Sequence, residues 1–563
     1  MVSVKFKSKV VWLTILLLLA LLTANRHRHT GHFNWRTELW ADPAGYYVYL
    51  PALFIYDFDA ERFPAGIDKM TGNGFALDRG NGRVITRYTY GVALLQAPFF
   101  AIVHTFKVLT SDSSDGFSGL YHRVPDMAAV FYAFAGIFFL WRFLRLYFSL
   151  KISLGVMLSV ILGTNVIYYT IDATGMSHIY SFSLFAALLF LTRSKLIRND
   201  PVPFSFLLLW GLLSALVVLI RPTNLFFLLF LVVLDIRKSS ELMDRLKVFL
   251  NAKFIGSVIV AAIVVFTPQM LYWKYASGNF LTDPYEGYGF TRWLSPAIKE
   301  LLFSTNNGMI LYNPIYLLVI AGLVYMVAFR IRNGWAILGI LAALVYIFSS
   351  WFIFSFGCGF GSRNFVEYAT LFSLPLGYLY STFERHNLKR TYKKAIIGLA
   401  GVMILFNLKL VYSYNKCFEA GDWNFKEFGY LLLNSNLSRV EHLNSKEQEI
   451  TSGMEYSKGI KVKTSNVALV NFRRAVVQAK VMLDNPENEA QMVLSVTAGD
   501  STIYWNGCRI AGLYDFEKLS EYQTVTCEFW LPAHYTRESE ISAYLWNMNK
   551  DEFYLKRIRV YFY

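Results

Sequence analysis

The sequence predicts an α-helical polytopic membrane protein followed by a C-terminal all-β sandwich. Hydrophobic residues make up 55% of the 563 positions and charged residues only 17%, against about 25% charged residues in ordinary soluble domains. Uncharged apolar runs recur from residue 10 to residue 412, as repeated bilayer crossing requires. After residue 414 the sequence becomes polar and alternates with a period of two, which is typical of half-buried strands.

This composition excludes a soluble cytosolic enzyme, a disordered chain and a small disulfide scaffold. The net charge is +15, from 54 Lys and Arg against 39 Asp and Glu. Polytopic membrane proteins gather such an excess in their cytoplasmic loops, so we expect no nucleic-acid partner. No Walker loop or dinucleotide fingerprint stands where its chemistry would work, so we expect no nucleotide cofactor.

Eleven apolar segments are predicted to span the membrane. The first, residues 10–24, follows three lysines and is interpreted as a retained anchor with a cytoplasmic N-terminus, because no convincing signal-peptide cleavage site follows it. The other ten are 124–141, 152–171, 175–192, 204–220, 222–236, 254–273, 309–329, 335–354, 365–383 and 395–413. Their lengths suit helices that cross about 30 Å of hydrocarbon, with local thinning at the shorter ones.

A further apolar run, 91–108, is ambiguous, and the positive-inside rule decides its placement. If it spans the membrane, all 18 Lys and Arg of five later connecting segments face outward; if it lies in the interface, all 18 face the cytoplasm. We therefore predict an interfacial helix over 91–108, inside a long first outer loop of about residues 25–123. The domains are then a transmembrane domain over 1–414, a linker over 415–449 and an outer β-sandwich over 450–563.

The β-sandwich is predicted from strand patterning and turn residues. Segments 475–481 and 556–562 alternate apolar and polar residues, and about seven short strands fit, in a pattern that resembles jelly-roll modules. Cys508 and Cys527 lie on two candidate strands, where a disulfide and two buried thiols are equally compatible with the sequence. Tyr504, Trp505 and Trp546 are candidates for stacking on sugar rings, although such residues more often belong to a core.

Asp42 is the leading candidate for a catalytic carboxylate. It stands just after the first helix, beside aromatic residues that suit the membrane interface, where a lipid-linked substrate presents its headgroup. The alternative is that Asp42 caps a helix that starts at Pro43. The two roles are compatible with each other.

Other polar residues fall on the same predicted outer side. Asp172 and His178 flank the end of the third helix, where ionisable groups line a cavity or pair with each other. Arg221 stands in a tight turn and Arg363 in a glycine-rich segment. The planar guanidinium of arginine suits a phosphate; snorkelling to headgroups and a plain turn are the alternatives.

A histidine cluster at the start of the first outer loop raises the question of metal binding. His27, His29 and His32 are close in sequence and could bind a metal, but contact with headgroups is the more common role of such residues. We therefore predict no metal site.

Together these segments resemble the GT-C superfamily of polytopic glycosyltransferases, and within it the bacterial branch of aminoarabinose and protein-O-mannosyl transferases. The resemblance covers roughly residues 10–413 and rests on segments 41–47, 88–98, 172–178, 221–224, 306–314 and 361–363. It implies a multi-pass protein of the bacterial inner membrane, with the N-terminus in the cytoplasm and the β-domain in the periplasm. Segment 88–98 looks like the family's outer juxtamembrane helix.

The resemblance also implies an activity. A sugar would move from a polyprenyl phosphate or diphosphate donor to a glycan, lipid or protein acceptor of the cell envelope, with inversion and with Asp42 as the base. Asp172 looks like the second acidic residue of the catalytic site. Arg221 and Arg363 are the candidates for the donor phosphate. The candidates for further substrate contacts are His178, Tyr46, Tyr90, Glu286 and Glu367.

One departure from the family pattern bears on cofactors. Pro43 stands where relatives often carry a second acid, so metal ligation by an acidic pair is not expected, although a divalent cation stays an open alternative. Two other classes are open as well. A transporter or flippase of lipid-linked sugars would also bury charges, but it favours midplane sites and internal repeats. A scaffolding membrane protein would act through its β-domain alone.

Overall fold

A computed structural model describes residues 2–28, 37–110, 114–197, 201–283, 285, 288–357, 359–385, 390–414, 425, 428–429, 440–444, 447–464, 474–515, 521–531 and 538–562. Within these residues a helical part precedes a β part. The helices are α1 (Val2–His27), α2 (Asp42–Tyr47), α3 (Tyr49–Phe54), α4 (Ile67–Met70), α5 (Gly91–Leu109), α6 (Arg123–Leu144), α7 (Leu150–Gly163), α8 (Val166–Ile171), α9 (Ser177–Leu191), α10 (Phe204–Ile220), α11 (Leu225–Val233), α12 (Ser239–Phe249), α13 (Ala252–Ser277), α14 (Ile298–Phe303), α15 (Met309–Tyr312), α16 (Tyr316–Ala328), α17 (Gly334–Ser349), α18 (Ala369–Arg385) and α19 (Arg390–Ser413).

Several of these helices can cross a membrane. Six segments of the described residues are long and apolar enough, namely Val10–His27, Gly91–Leu109, Gly119–Leu144, Ser177–Leu196, Ala252–Ser277 and Thr391–Ser413. Five shorter apolar helices accompany them. The chain is therefore a multi-pass membrane protein, whereas the number of eleven crossings stays a prediction.

Two predicted spans are interrupted. The span 152–171 is divided between α7 and α8, and 309–329 between α15 and α16. At the second break Pro314 lacks the backbone N–H that a continuous helix needs. At the first break the side chain of Asn165 donates to the carbonyl oxygens of Phe360 and Ser362, so the interruption supports a distant loop.

Helix α9 lies at the centre of the helical part. Every residue from Ser177 to Leu189 is buried, as expected of a helix that is packed on all sides. Its neighbours include α6, α10 and α18, and Phe185 stacks on Phe227 of α11 with ring centroids 3.7 Å apart. The first turn of α9 carries His178, so the central helix brings this polar side chain to the end of the bundle.

The segment after α1 folds over that end of the bundle. A short hairpin, β1 (Ala76–Asp78) and β2 (Arg83–Ile85), stands beside a small core that includes Tyr47, Phe100 and Phe117. The C-terminal part of α13 joins it, because the hydroxyl of Tyr272 accepts a hydrogen bond from the backbone N–H of Thr86.

Both ends of α5 contact the same predicted side of the bundle. Near its N-terminus, Gly91 packs against Ile220, the last residue of α10. Near its C-terminus, His104 hydrogen-bonds the hydroxyl of Tyr121, two residues before the start of α6, at 2.6 Å. These contacts favour an interfacial α5 over one that crosses the membrane, and its placement is a proposal that labelling can test.

The β part consists of two antiparallel sheets that enclose one core. One sheet has the strand order β5-β10-β7-β8 and the other β3-β11-β6-β9, with β4 beside β11. The strands are β3 (Val440–Asn444), β4 (Gln448–Ile450), β5 (Ile460–Lys463), β6 (Arg474–Met482), β7 (Gln491–Ala498), β8 (Ser501–Arg509), β9 (Gln523–Trp530), β10 (Glu540–Trp546) and β11 (Phe553–Phe562). Since β3 lies before residue 450, the sandwich includes part of the segment interpreted as a linker.

Cys508 and Cys527 form a disulfide. Cys508 belongs to β8, an edge strand of the four-stranded sheet, and Cys527 to β9 of the other sheet. The bond therefore joins the two sheets, and of the two arrangements left open by the sequence the structure contains the disulfide.

The topology predicts which sites react from which side of the membrane. In a chain whose Cys358 and Cys417 are replaced by serine, Arg87→Cys and Thr110→Cys flank α5 and should both react with an impermeant maleimide from the side that exposes Lys461→Cys. Lys151→Cys, at the opposite predicted face, should react only after permeabilisation. Labelling of positions 87 and 110 from opposite sides would show that α5 crosses the membrane.

The disulfide is expected to stabilise the edge strand β8. Cross-linking a loop of 19 residues is worth about 3 kcal/mol. A Cys508→Ser, Cys527→Ser double variant should therefore exchange the amide hydrogens of β8 much faster, as measured by hydrogen–deuterium exchange. Thr502→Ala on the same strand is the control and should change amide exchange little. Equal exchange in the double variant and the wild type would show that the disulfide does not stabilise β8.

Candidate active site

Asp42 lies at the start of α2 and binds two side chains from distant parts of the sequence. Its Oδ1 accepts a hydrogen bond from the hydroxyl of Tyr88, and its Oδ2 lies 3.3 Å from Nη2 of Arg363. The side chain of Asp42 is 31% exposed and that of Arg363 is 17% exposed. The carboxylate is thus held by two donors and still reachable from outside.

Glycine explains how Tyr88 reaches Asp42. A Cβ added to Gly45 would come within 2.3 Å of both the Tyr88 ring and the carbonyl oxygen of Gly74. Only glycine lets the ring lie this close to α2, which aims its hydroxyl at the carboxylate. Burial and then the negative charge of Asp42 raise the pKa of Tyr88 far above its ordinary value, so the phenol keeps its proton and donates it.

The loop before α18 presents Arg363. Gly361 has a φ of +63°, which favours glycine, and Asn165 holds the carbonyl oxygens on either side of it at 3.4 and 3.2 Å. Burial opposes the charged form of Arg363, but Asp42 together with the nearby Tyr169, Tyr46 and Tyr88 outweighs it, so the pKa of Arg363 is raised. A fixed, permanently charged guanidinium therefore stands beside the carboxylate.

A second arginine cluster lies at the adjacent helix ends. Arg221 follows α10, and its Nη2 donates to Oδ1 of Asn364, the residue next to Arg363. Its Nη1 lies 2.9 Å from Nδ1 and 3.2 Å from Nε2 of His178 and 3.7 Å from Oε1 of Glu367. Nδ1 of His178 also lies 3.1 Å from Oε2 of Glu367.

The protons of this cluster can be assigned from chemistry. The two ring nitrogens of an imidazole point in different directions, so one Nη1 can donate to only one of them. A neutral His178 that donates Nδ1–H to Glu367 and accepts from Arg221 at Nε2 satisfies all three side chains. Sequence reasoning left an Asp172–His178 pair open as the structural alternative; the observed partners of His178 are Glu367 and Arg221.

Aromatic residues connect the two clusters. The ring of Tyr46 lies 4.5 Å from that of Tyr88, and its hydroxyl is 3.3 Å from Oγ of Ser177, which precedes His178. Burial raises the pKa of Tyr285, Asp42 raises it further, and Arg221 and Arg363 oppose the rise. Asp42, Arg221 and Arg363 are therefore all close enough to Tyr285 to influence the pKa of its phenol.

Asp172 belongs to a different cluster. Its carboxylate is nearly buried and pairs with Nε of Arg26 at the end of α1, and its described contacts do not include Asp42. The two segments are nonetheless neighbours, because a Cβ on Gly175 would come within 2.5 Å of Pro43. The resemblance implies that Asp42 and Asp172 belong to one site. In the structure their segments are neighbours, but the described contacts do not include one between the two carboxylates.

Beside Asp172 lies a buried network of charges around Glu38. Nδ1 of His27 is 2.8 Å from Oε1 of Glu38, and Nη1 of Arg123 is 2.6 Å from the same oxygen and 3.1 Å from Oδ2 of Asp126. Burial alone would raise the pKa of Glu38, but the hydrogen bonds and the positive charges of His122 and His27 together outweigh it and lower the pKa.

Three of these side chains, His27, Glu38 and Asp126, have ligand atoms within 4.8 Å of one another, a distance that suits a metal ion. However, Nε2 of His27 lies 2.7 Å from the carbonyl oxygen of Ile171, and its Nδ1 faces a carboxylate. A ring that donates to both carries two protons and has no lone pair for a metal. With Arg123 between the two acids, the arrangement fits an ion-pair network.

The other candidates from the sequence have different outcomes. The hydroxyl of Tyr90 donates to the carbonyl oxygen of Val265 at 2.7 Å, and its backbone N–H to Gln269, so Tyr90 joins the first loop to α13 and its hydroxyl is already committed. Glu286, His29 and His32 lie outside the described residues. Asp42 makes its two described side-chain bonds to Tyr88 and Arg363, and no side-chain capping hydrogen bond starts α2.

Sequence reasoning missed several members of the site. Tyr88 stands in a segment that carried the family resemblance, but nothing in the sequence pairs it with Asp42. Asn364 and Glu367 follow Arg363 in the same segment, and only Glu367 was a candidate. Asn165 is a polar residue in an otherwise apolar segment. Such a residue could have been interpreted as a support for a distant loop.

No family model matches the sequence, and no curated protein matches it either. Among solved structures, the chain is similar to the archaeal oligosaccharyltransferase AglB from Archaeoglobus fulgidus in complex with an inhibitory peptide and a dolichol-phosphate, at 14% identity and a TM-score of 0.39. It is also similar to the A. fulgidus oligosaccharyltransferase in the apo form, at 14% identity and 0.38, and in complex with Zn and sulfate, at 16% identity and 0.39.

These matches cover 71–72% of this chain and 54–55% of the other chains. The chain thus spans about half the length of the structures it matches. At this level of similarity, no residue role or ligand is transferred from them to this chain.

Proposed function

We propose that the protein is a membrane glycosyltransferase of the GT-C type, which moves a sugar from a polyprenyl-linked phosphate or diphosphate to an acceptor in the cell envelope. One observation carries the proposal. A partly exposed carboxylate, Asp42, contacts Arg363, and the next residue, Asn364, accepts a hydrogen bond from Arg221, at one end of a helical membrane domain. When a hydroxyl displaces a phosphate leaving group, a carboxylate can accept the proton of the hydroxyl and arginines can stabilise the negative charge of the phosphate.

The two arginines are proposed to bind the donor phosphate. The leaving group of this reaction gains negative charge on its phosphate oxygens, and guanidinium groups stabilise such charge well in a water-poor site. Two of the described partners of Arg221, His178 and Asn364, carry no negative charge. Its charge is therefore only partly compensated by Glu367 at 3.7 Å.

Asp42 is proposed as the general base. In the structure its Oδ2 is engaged by Arg363 at 3.3 Å, which would weaken it as a base. A donor phosphate is a stronger competitor for the guanidinium than a single carboxylate, because a phosphate offers more oxygens and more charge. Binding of the donor would thus release Asp42 to accept the proton of the acceptor hydroxyl, which orders the two events.

The remaining residues have supporting roles in this proposal. Tyr88 orients Asp42, Tyr46 packs against Tyr88, and His178 holds Arg221. Asp172 is proposed to hold the junction of α8 and α9 through Arg26, as a positioning residue that does not touch the reacting atoms. The acceptor is a glycan, lipid or protein at the periplasmic side of a bacterial inner membrane, in the topology that the charge pattern favours.

A transporter or flippase of lipid-linked sugars is the second candidate. The charged cluster lies at the helix ends, beside Asp42 at the start of α2 and Arg221 at the end of α10, whereas transport sites favour the middle of the bilayer. A flippase would move the lipid without forming a new glycosidic bond, so the two functions differ in their product.

Replacement of the proposed base should abolish transfer without unfolding the protein. We expect Asp42→Asn to lower transfer by about 10²- to 10⁴-fold, since a general base typically contributes this much. The measurement is mass spectrometry of envelope glycans from cells that carry the wild type, the variant or no copy. Asp57→Asn, at a 75% exposed side chain in the same loop, is the control and should leave the glycans unchanged. A sugar that is still added at a normal level by Asp42→Asn would rule out Asp42 as the base.

The anion site can be tested without knowing the sugar. Polyprenyl phosphate, the phosphate-bearing part of the donor, should bind the purified protein more tightly than polyprenol, and Arg221→Gln should weaken phosphate binding by about 10- to 100-fold, as expected for a lost charged hydrogen bond. Polyprenol binding should not change. Arg83→Gln, an exposed residue of β2, is the control, and equal loss of both ligands in Arg221→Gln would indicate misfolding instead of a phosphate contact.

A further inference from the structure

The outer face of the four-stranded sheet carries an aromatic surface that the proposed reaction does not use. On β7, Met492, Leu494 and Val496 are fully buried in the sandwich core, so Val493 and Ser495 point to the other face of the sheet, where neighbouring side chains cover them. In register with positions on that face stand Trp505 of β8, opposite Ser495, and Trp546 of β10, opposite Gln491. Tyr544 lies two positions before Trp546 and shares its face.

Four rings form this aromatic surface, which we define as Tyr456, Trp505, Tyr544 and Trp546. Tyr456, from the segment before β5, bridges to Trp546, and their rings are close to parallel, at 14°, with centroids 6.5 Å apart. Trp505 stands across Trp546 at 81° and 5.7 Å, and Tyr544 lies 5.7 Å from Tyr456. The four rings thus form one contiguous cluster on this face of the sheet.

These rings are not part of the core. Trp505 is 47% exposed and Tyr456 53% exposed, while the core between the sheets is formed mainly by small and aliphatic residues such as Ala479, Leu494 and Leu545. The sequence favours a core position for such aromatic residues, and for Trp505 this prediction is wrong. Exposed aromatic residues that contact one another are unusual on a soluble surface and mark a site of interaction.

A polar side chain lies beside the rings. Gln491, which is opposite Trp546, occupies the space over Gly507, since a Cβ on Gly507 would come within 2.1 Å of its Oε1. Its Nε2 donates to Sδ of Met548 at 3.2 Å, so the amide is held beside the rings with its carbonyl oxygen as an acceptor for a sugar hydroxyl.

We propose that this aromatic surface binds a saccharide chain. The C–H groups on the face of a pyranose ring pack against an aromatic face, and its hydroxyls bond to amides at the edge. The near-parallel rings of Tyr456 and Trp546, the perpendicular ring of Trp505 and the amide of Gln491 provide both kinds of contact.

The size of the aromatic surface argues against a protein partner. An aromatic side chain offers about 150–250 Å², so two half-exposed rings and the edges of two others present roughly 300–400 Å². A stable protein interface needs about 800 Å² from each partner. A surface of this size suits two or three sugar rings better than a second copy of the chain.

The direction of the aromatic surface argues against a membrane partner. Trp530 stands on the outer face of the other sheet and packs against the helical domain, in the cluster that contains Tyr312, Phe360 and Tyr414. Since the two sheets lie back to back around one core, the aromatic surface faces away from that cluster. It is thus turned outward, where a glycan of the envelope would be found.

Saccharide binding goes beyond the proposed transfer reaction and does not require it. The binding itself depends only on the β-domain rings, so it can succeed or fail independently of the chemistry at Asp42.

The test measures binding of soluble polysaccharides to the full-length protein in nanodiscs by biolayer interferometry. Dextran, mannan, galactan and a soluble polymer of N-acetylglucosamine are the probes. We expect at least one to bind, and Trp505→Ala and Tyr456→Ala each to weaken that binding by about tenfold, as for the loss of one aromatic contact. Tyr554→Ala is the matched control, since Tyr554 is a partly exposed aromatic residue of β11 in the other sheet, and should bind within twofold of the wild type.

Each other outcome overturns the proposal. These outcomes are binding of none of the four probes, binding that both variants retain, and a Trp505-dependent association with glycan-free vesicles or with a second copy of the chain in place of saccharide binding. Normal amide exchange in β7 and β10 shows that a variant is folded. The same measurement on Asp42→Asn should give wild-type binding, so a failure of the proposed transfer and a failure of saccharide binding are told apart.

Discussion

The contact between Asp42 and Arg363 is the interaction on which the arrangement of this membrane face depends. It joins residues 321 positions apart in the sequence, so the first outer loop and the loop before α18 are held together across the end of the helical domain. Each charge also lowers the free-energy cost of burying the other, because an unpaired ion inside a membrane protein is strongly unfavourable. The same pair places a carboxylate next to an anion site, and the proposed chemistry follows from that neighbourhood.

The loops that carry this pair are supported by polar side chains placed in helix interruptions. Asn165, between α7 and α8, holds the backbone on both sides of Gly361. Nearby, Arg26 and Asp172 tie the end of α1 to the end of α8, and Arg123 lies between Glu38 and Asp126. In a membrane protein such groups need partners inside the fold, so these networks fix the loops at the same time as they satisfy the charges.

The β-sandwich relates to the helical domain through one sheet and to the outside through the other. Trp530 contacts the aromatic cluster next to the loop of Arg363, whereas Trp505 and Tyr456 are exposed on the opposite sheet. The disulfide between Cys508 and Cys527 connects the two sheets, three residues beyond Trp505. The same strand thus carries the exposed ring and the covalent link that holds it against the core.

The sequence by itself determined the class of protein, the position of nearly every long apolar helix and the strand pattern, because these follow from local hydrophobic periodicity. It also identified Asp42, Arg221, Arg363, His178 and Glu367 as polar residues at helix ends, since charge in an apolar context is visible in one dimension. Only the tertiary structure decided the partners: Asp42 with Tyr88 and Arg363, His178 with Glu367, and Asp172 with Arg26. Pairing depends on how helices pack and on where a missing Cβ lets two segments approach, as at Gly45, and neither leaves a periodic signal in the sequence. Likewise, alternation placed Trp505 on a strand, but the exposure of its ring depends on which face of the sheet the second sheet covers.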